Sequence, residues 1–185
     1  LRVDSEALKS ASLTLKNSLN SAYECKSMDS LRGIEGEAAS IYFGVFNELI
    51  LQQEEDFSFE FRSRRPPLDK VNALLSFAYV LLTSMCTSAL ESVGLDPYVG
   101  FMHTIRPGRK SLALDLVEEL RSVFADRFVI TLINKKLILS KHFIEQEDSA
   151  VLLNDEGKKI FFKYWQQKKL EVIEHPKKKK KVEWG

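Results

Sequence analysis

The chain alternates stretches of helical periodicity with short breaks rich in charge, Pro or Gly. Leu8, Leu15 and Leu19, with Ala11 between them, recur at helical spacing, so residues 4–20 read as an amphipathic helix capped by Asp4 or Ser5. A second helix is predicted from about Asp29 to Leu51. Residues 52–65, QQEEDFSFEFRSRR, are charged and alternating and read as a loop or short hairpin closed by Pro66-Pro67. Asp69 then caps a long helix to about Val93, which Gly94 ends. Residues 95–110, LDPYVGFMHTIRPGRK, are predicted to be loop with a short turn. Ser111 caps a helix over 111–123, a further helix covers 126–135, and a short hairpin fits Ile138 to Leu153. Asn154 or Asp155 caps a last helix over 155–171. The fold class is therefore mainly α, with at most a small β-hairpin.

The helix after Asp69 carries no charge between Lys70 and Glu91, a run of 20 residues that is long enough to span a bilayer. Asn72, Ser76, Thr83, Ser84, Thr87 and Ser88 make it too polar for lipid, so it reads as a helix buried at the centre of the fold. Length fits one domain with a sizeable core. The 27 basic against 26 acidic residues exclude a uniformly basic nucleic-acid coat but leave room for a local basic surface. Cys25 and Cys86 lie 61 positions apart and outside any CxxC or Cys/His cluster, which excludes a disulfide framework and a structural zinc site and fits a reducing cytoplasm.

Candidate chemistry falls on three segments. On a helical wheel Glu35 shares an apolar stripe with Ala39, Tyr42, Phe46 and Ile50, whereas Glu37 falls with Ser40, Gly44 and Asn47. Glu35 is thus expected to face protein and Glu37 water. Gly33 and Gly36, costly within a helix, suggest that another backbone or a ligand approaches closely there. The alternative is an acid near a helix start, favoured by the dipole. His103 lies in the loop GFMHTIRPGR, either as a structural histidine or as a functional one on a rigid scaffold. In the helix SLALDLVEELRSVF, Asp115 and Glu118 are i,i+3 neighbours that can face one point, or simply belong to a solvated face. His142 and His175 have less to support them. Carboxylates with one imidazole and no thiolate suit Mn²⁺ or Mg²⁺ better than zinc. Arg32, Arg62, Arg64, Arg65, Arg106, Arg109 and Lys110 cluster along the same segments. A cation with guanidinium groups is what phosphodiester chemistry requires: the ion stabilises oxyanion charge and the arginines hold phosphates.

At these residues the sequence closely resembles the universal CRISPR-associated spacer-acquisition integrase, a metal-dependent DNA nuclease. The matching segments are LRGIEGEAASIYF at 31–43, RRPPLDKVNALLSFAYVLLTS at 64–84, LDPYVGFMHTIRPGRKSLALDLVEELR at 95–121 and TLIN at 131–134. The resemblance implies a helical catalytic domain over 29–176, preceded by a leading helix and linker over 1–28. Carried over by motif, the catalytic and metal-binding residues are Glu35, His103 and Glu118, with Asp115 as a supporting or alternative ligand. Helical spacing alone does not separate Asp115 from Glu118. The implied reaction is insertion of short DNA spacers into a CRISPR array by transesterification, with Mn²⁺ or Mg²⁺ as cofactor and no Ser or Cys nucleophile.

The implied partners are DNA (spacer precursor and CRISPR repeat), a small ferredoxin-like CRISPR-associated protein, and a second copy of the full-length protein; no membrane is implied. The competing reading is a non-catalytic helical DNA-binding or assembly module of the same family. The family's N-terminal β-rich domain is not matched here, and residues 177–185, with the run Lys177 to Lys181, read as a basic tail leading to further helices. The expectation is a catalytic part of a larger two-domain enzyme, weakly active or inactive by itself.

Overall fold

The computed structural model describes residues 5–174 and 181–183. Its first helix, α1 (Glu6–Glu24), starts at Ser5, whose hydroxyl accepts the Leu8 N–H; Asp4 lies outside the described residues. This helix packs on α2 (Met28–Gly44) and buries only Ala11 of its own residues, so it sits at the periphery.

α2 is shorter than its periodicity suggests. It stops at Gly44 rather than Leu51 and passes into a 3-10 turn, Phe46–Leu49. The backbone beyond Gly44 finds partners outside the helix. Asn134 Nδ2 donates to the Leu49 carbonyl and its Oδ1 accepts the Leu51 N–H, both at 2.8 Å, while Asn47 Oδ1 accepts the Phe59 N–H at 2.8 Å. Those side chains replace the i→i−4 ladder and let Phe46 turn fully inward against Phe43 and Phe59. Residues 52–65 form a loop without strands, from which Phe57 and Phe59 enter the core.

α3 (Lys70–Ser92) is the central helix, capped by Asp69 through the Asn72 N–H at 2.7 Å. By length and composition it could cross a membrane. In the fold it packs against the helices and hairpin that follow, burying Leu74, Leu75, Ala78 and Leu82. Its polar residues are satisfied internally: Thr83 and Thr87 donate to carbonyls one turn back, and fully buried Asn72 donates to the Phe61 carbonyl and accepts the Ser63 N–H. Cys86 is buried here, and burial pushes its thiol up to about 11, as befits a packing residue. Gly94, at φ +78°, ends the helix in the left-handed conformation, with the Leu95 N–H returning to the Leu90 carbonyl.

The next helices are joined differently from expectation. α4 (Ser111–Leu120) runs through a π-helical turn, Arg121–Asp126, directly into α5 (Arg127–Asn134), with no break between them. Ser111 does not cap α4. It is the first helical residue, fully buried, and donates to the Thr104 carbonyl at 3.1 Å. The Pro97 carbonyl instead accepts the N–H groups of Leu112 and Ala113, so the preceding loop closes the helix start.

A 3-10 turn, Ser140–His142, leads to the expected hairpin of β1 (Phe143–Glu145) and β2 (Val151–Leu153), antiparallel with Phe143 opposite Leu153. His142 is buried and structural: its Nδ1 accepts the Leu139 N–H at 3.0 Å. Asn154, not Asp155, caps α6 (Asp155–Lys169). Gly157 lets that helix lie on the His142 carbonyl, which would stand 2.5 Å from an added Cβ. α6 sends Phe161 and Trp165 into an aromatic core with Phe77, Phe124 and Phe128. A second ladder, β3 (Val172–Glu174) with β4 (Lys181–Glu183), was not expected in the tail. Lys177–Lys180, His175 and Trp184-Gly185 lie outside the described residues.

Candidate active site

Asp115 organises the loop that carries His103. Gly100 lies so close to α4 that an added Cβ would stand 2.6 Å from the Ser111 Cβ and 2.9 Å from Asp115 Oδ2. The following three residues then turn their amides onto one carboxylate. Oδ2 accepts the N–H of Phe101 (2.6 Å) and Met102 (3.1 Å), and Oδ1 accepts the His103 N–H (2.9 Å) and the His103 ring at Nδ1 (2.7 Å). Burial opposes the Asp115 charge, but the Phe101 amide, the His103 ring and the His103 and Met102 amides outweigh it, holding its carboxyl below the usual range.

The consequence falls on the imidazole. A carboxylate only accepts, so Nδ1 carries a proton, and in the neutral ring the lone pair then falls on Nε2. Glu118 Oε1 lies 4.0 Å from that Nε2. Spacing left Asp115 and Glu118 interchangeable; the structure separates them. Asp115 spends both oxygens behind the histidine, while Glu118 stands in front of it.

Glu118 is also held by Arg121, one helical turn on, at 2.5 Å. Burial pushes the Glu118 carboxyl up; Arg121 opposes this, Glu35 reinforces it, and His103 and Arg64 oppose it. Glu35 therefore lies within electrostatic range of Glu118 from the neighbouring helix. It is exposed rather than packed on a protein face, and no residue of α2 is buried, so the expected contrast with Glu37 is absent. The expected approach of another backbone to Gly33 and Gly36 is absent too: an added Cβ at either would meet nothing within 4 Å.

The basic residues divide into two groups. Arg32 binds within the protein, donating from Nε to the Met102 carbonyl at 2.9 Å and from Nη1 to Asp29 at 2.8 Å, and so ties α2 to the His103 loop. Arg62 is drawn inward, bonded to Asn72, Ser76 and the Ser63 carbonyl, with its guanidinium 5.3 Å from the Tyr79 ring centroid. Both were expected to contact DNA; these bonds show that they also hold the protein together. Arg64, Arg65 and Arg106 are exposed, and Arg109 and Lys110 half-buried.

Sequence reasoning missed the buried layer beneath the site. Asp126, 1% exposed, accepts the hydroxyls of Tyr42 (3.0 Å) and Tyr79 (2.5 Å). Burial pushes the Asp126 carboxyl up, against the pull of the two hydroxyls and of Arg121 and Arg62. A lone acid inside the apolar run VFADRFVI was the available signal, since a buried charge requires partners.

Among the described residues, no group of three or more His, Cys, Asp and Glu side chains stands assembled to hold a metal ion. The chemistry of the donors nonetheless fits a hard divalent cation: an imidazole oriented by a carboxylate behind it, a carboxylate in front, and a further carboxylate, Glu35 of α2, within electrostatic range of that one.

A family model described as CRISPR associated protein Cas1 matches residues 1–167. The chain is 57% identical over 148 residues to CRISPR-associated endonuclease Cas1 2 of Rhodospirillum rubrum, covering 80% of this chain and 43% of that protein. It is 50% identical over 175 residues to CRISPR-associated endonuclease Cas1 1 of Chlorobaculum tepidum, covering 95% and 51%. It thus spans about half the length of these curated relatives. Among solved structures, a casposase bound to integration product superposes with a TM-score of 0.81 at 30% identity, over 91% of this chain and 46% of the casposase. A CAS1 protein from Thermotoga maritima superposes with a TM-score of 0.78 at 35% identity, over 84% and 49%. A partial Cas6-RT-Cas1–Cas2 complex matches at 0.80 and 27% identity, over 88% and 49%.

Proposed function

We propose that this chain, which belongs to the Cas1 family of CRISPR-associated proteins, is the catalytic part of a metal-dependent DNA endonuclease and integrase that inserts short DNA spacers into a CRISPR array. The observation that carries the reading is the clamp of Asp115 on His103, which leaves Nε2 bare beside Glu118. Glu35, His103 and Glu118 would hold Mn²⁺ or Mg²⁺. Bound there, the ion supplies positive charge for the developing phosphoryl oxyanion and acidifies a hydroxyl.

The chain's own residues position the reactants. Asp115 fixes the histidine tautomer, and Arg32 holds its loop against α2. Arg64, Arg65, Arg106, Arg109 and Lys110 bind flanking phosphates in this reading. In the transesterification, the 3′-hydroxyl oxygen of the incoming strand bonds to phosphorus and the bond from phosphorus to the repeat strand's 3′ oxygen breaks. The proton passes from the attacking to the leaving oxygen through solvent, and the number of phosphodiesters is conserved. Water in place of the hydroxyl gives nuclease activity. The nucleophile belongs to the substrate, consistent with cysteines that only pack. The Cas2-containing structural relatives support a small CRISPR-associated partner protein, and the full-length protein is proposed to pair with itself.

The Glu118–Arg121 ion pair favours one alternative, a DNA-binding or assembly module in which arginine has replaced the metal. Mn²⁺ calorimetry with a branched-DNA cleavage assay separates the two. The parent is expected to bind Mn²⁺, and Glu35→Ala and His103→Ala to lose more than about tenfold in affinity and most of the cleavage. Equal metal binding and cutting by Glu35→Ala would overturn the site assignment. A parent blind to Mn²⁺ that still binds DNA with strong salt dependence would establish the module instead.

A further inference from the structure

Beneath the proposed site lies a charge arrangement that the reaction above does not use. Arg121 stands between two carboxylates. On the site side its Nη2 pairs with Glu118 at 2.5 Å. On the buried side its guanidinium lies 5.0 Å from the Tyr79 ring centroid, and the Tyr79 hydroxyl donates to Asp126. The π-helical turn Arg121–Asp126 creates this relation: its bonds close over i→i+5, which brings Asp126 back towards the side of the helix from which Arg121 projects. A regular helix would carry the two residues to different faces.

Two further observations bear on the partners of this arginine. Asp126 is almost fully buried and accepts two neutral phenols, so its ionised form calls for a cation nearby. The other nearby guanidinium, Arg62, bonds through its terminal nitrogens to Asn72, Ser76 and the Ser63 carbonyl, and its Nε is buried without an acceptor among the described residues. Arg121 Nε is likewise buried with no acceptor among the described residues. A buried N–H without an acceptor is a donor that a second arrangement of the side chain would satisfy.

We propose that Arg121 is an internal cation that competes with the divalent ion for Glu118, and that Asp126 is the positioning residue that draws Arg121 away when the ion binds. The inference rests on the metal-site reading above. Glu118 exchanges a guanidinium for the ion, Arg121 turns to the acid beneath, and the positive charge beside the metal is neutralised from inside.

The test is Mn²⁺ calorimetry on the parent, Arg121→Gln, Asp126→Asn and the double variant, each checked for a cooperative thermal transition. Arg121→Gln is expected to bind Mn²⁺ about tenfold more tightly, the worth of one competing charge-assisted hydrogen bond. Damage to the fold would weaken binding, so a gain is a sign that a merely structural role would not produce. Asp126→Asn is expected to bind more weakly by a similar factor, and to have little effect once Arg121 is already Gln. Weaker or unchanged binding by Arg121→Gln overturns the proposal, even if Asp126→Asn fails to fold. A parent that does not bind Mn²⁺ overturns this proposal and the metal-site reading together, whereas a binding parent with an unimproved Arg121→Gln overturns this proposal alone.

Discussion

Asp115→Asn is expected to lower metal-dependent DNA cleavage by about 10²- to 10⁴-fold, although Asp115 itself faces away from the reacting groups. The carboxylate accepts four donors, two on each oxygen. An amide offers one oxygen and one NH₂, so it serves only half of them. With its NH₂ towards the imidazole, Nδ1 must accept, the proton moves to Nε2, and the lone pair beside Glu118 is lost. With its NH₂ towards the loop, the Phe101 and Met102 amides face a donor and the segment that carries His103 lifts. Either placement removes the arrangement on which the site depends. Nitrogen chemical shifts of the His103 ring report the first outcome and faster amide exchange at residues 101–103 the second. A variant that keeps the Nδ1–H tautomer, ordinary loop protection and parental Mn²⁺ affinity would show that Asp115 is dispensable.

The same clamp has a pH signature. Asp115 is held below its ordinary value of 3.8, so the folded state binds fewer protons there than the unfolded chain. Its contribution to stability is complete above that value and is lost as pH falls through the folded-state pKa. The difference in melting temperature between parent and Asp115→Asn is therefore expected to be largest near neutrality and to shrink towards pH 3, as measured by thermal denaturation at both ends.

Phe161→Ala is expected to cost about 3–5 kcal/mol of folding free energy, the range for deleting a buried aromatic ring. Phe161 is fully buried and meets Phe128 edge-on at 5.0 Å, Phe77 at 4.9 Å and Trp165 at 5.8 Å. Trp165 in turn packs edge-on against Phe124 at 5.0 Å, and Phe124 lies in the π-helical turn between Arg121 and Asp126. The aromatic core thus backs the segment that carries the site's buried charges. Truncating Phe161 opens a cavity beneath that segment as well as removing transfer free energy. Urea denaturation measures the loss directly. Tyr23→Ala, on a ring 82% exposed at the end of α1, is the control and is expected to change stability by no more than about 0.5 kcal/mol. A loss below about 1 kcal/mol at Phe161 would mean that the core closes around the gap.

How far the chain is legible without its fold depends on how local each determinant is. Asp69 before an uncharged apolar run, Gly94 after it, and Asn154 before the last helix are signals that act within one turn, and the structure places each at the predicted helix end. The hairpin of β1 and β2 falls within the stretch predicted for it, Ile138 to Leu153. The segments bearing Glu35, His103 and Glu118 were readable as motifs, because the residues that orient the histidine follow it within one loop and one helix.

Contacts over long sequence separations were not legible. α2 ends early because Asn134, more than 80 residues later, satisfies the backbone at Leu49 and Leu51. Ser111 loses its capping role because the Pro97 carbonyl reaches the helix start first. Asp126 finds Tyr79 and Tyr42 at separations of 47 and 84 residues, and the π turn that directs it there has no period in the sequence. The pocket of Asn72, Ser76 and Tyr79 that receives Arg62 was not legible either. The sequence by itself determined the helical character, the caps at Asp69 and Asn154 and the segments that carry the candidate chemistry, since those signals act within one turn. Tertiary structure alone decided which acid holds the histidine, which faces it, and which cation each carboxylate answers to. Charge pairing depends on distance and burial, and neither exists until the helices have packed.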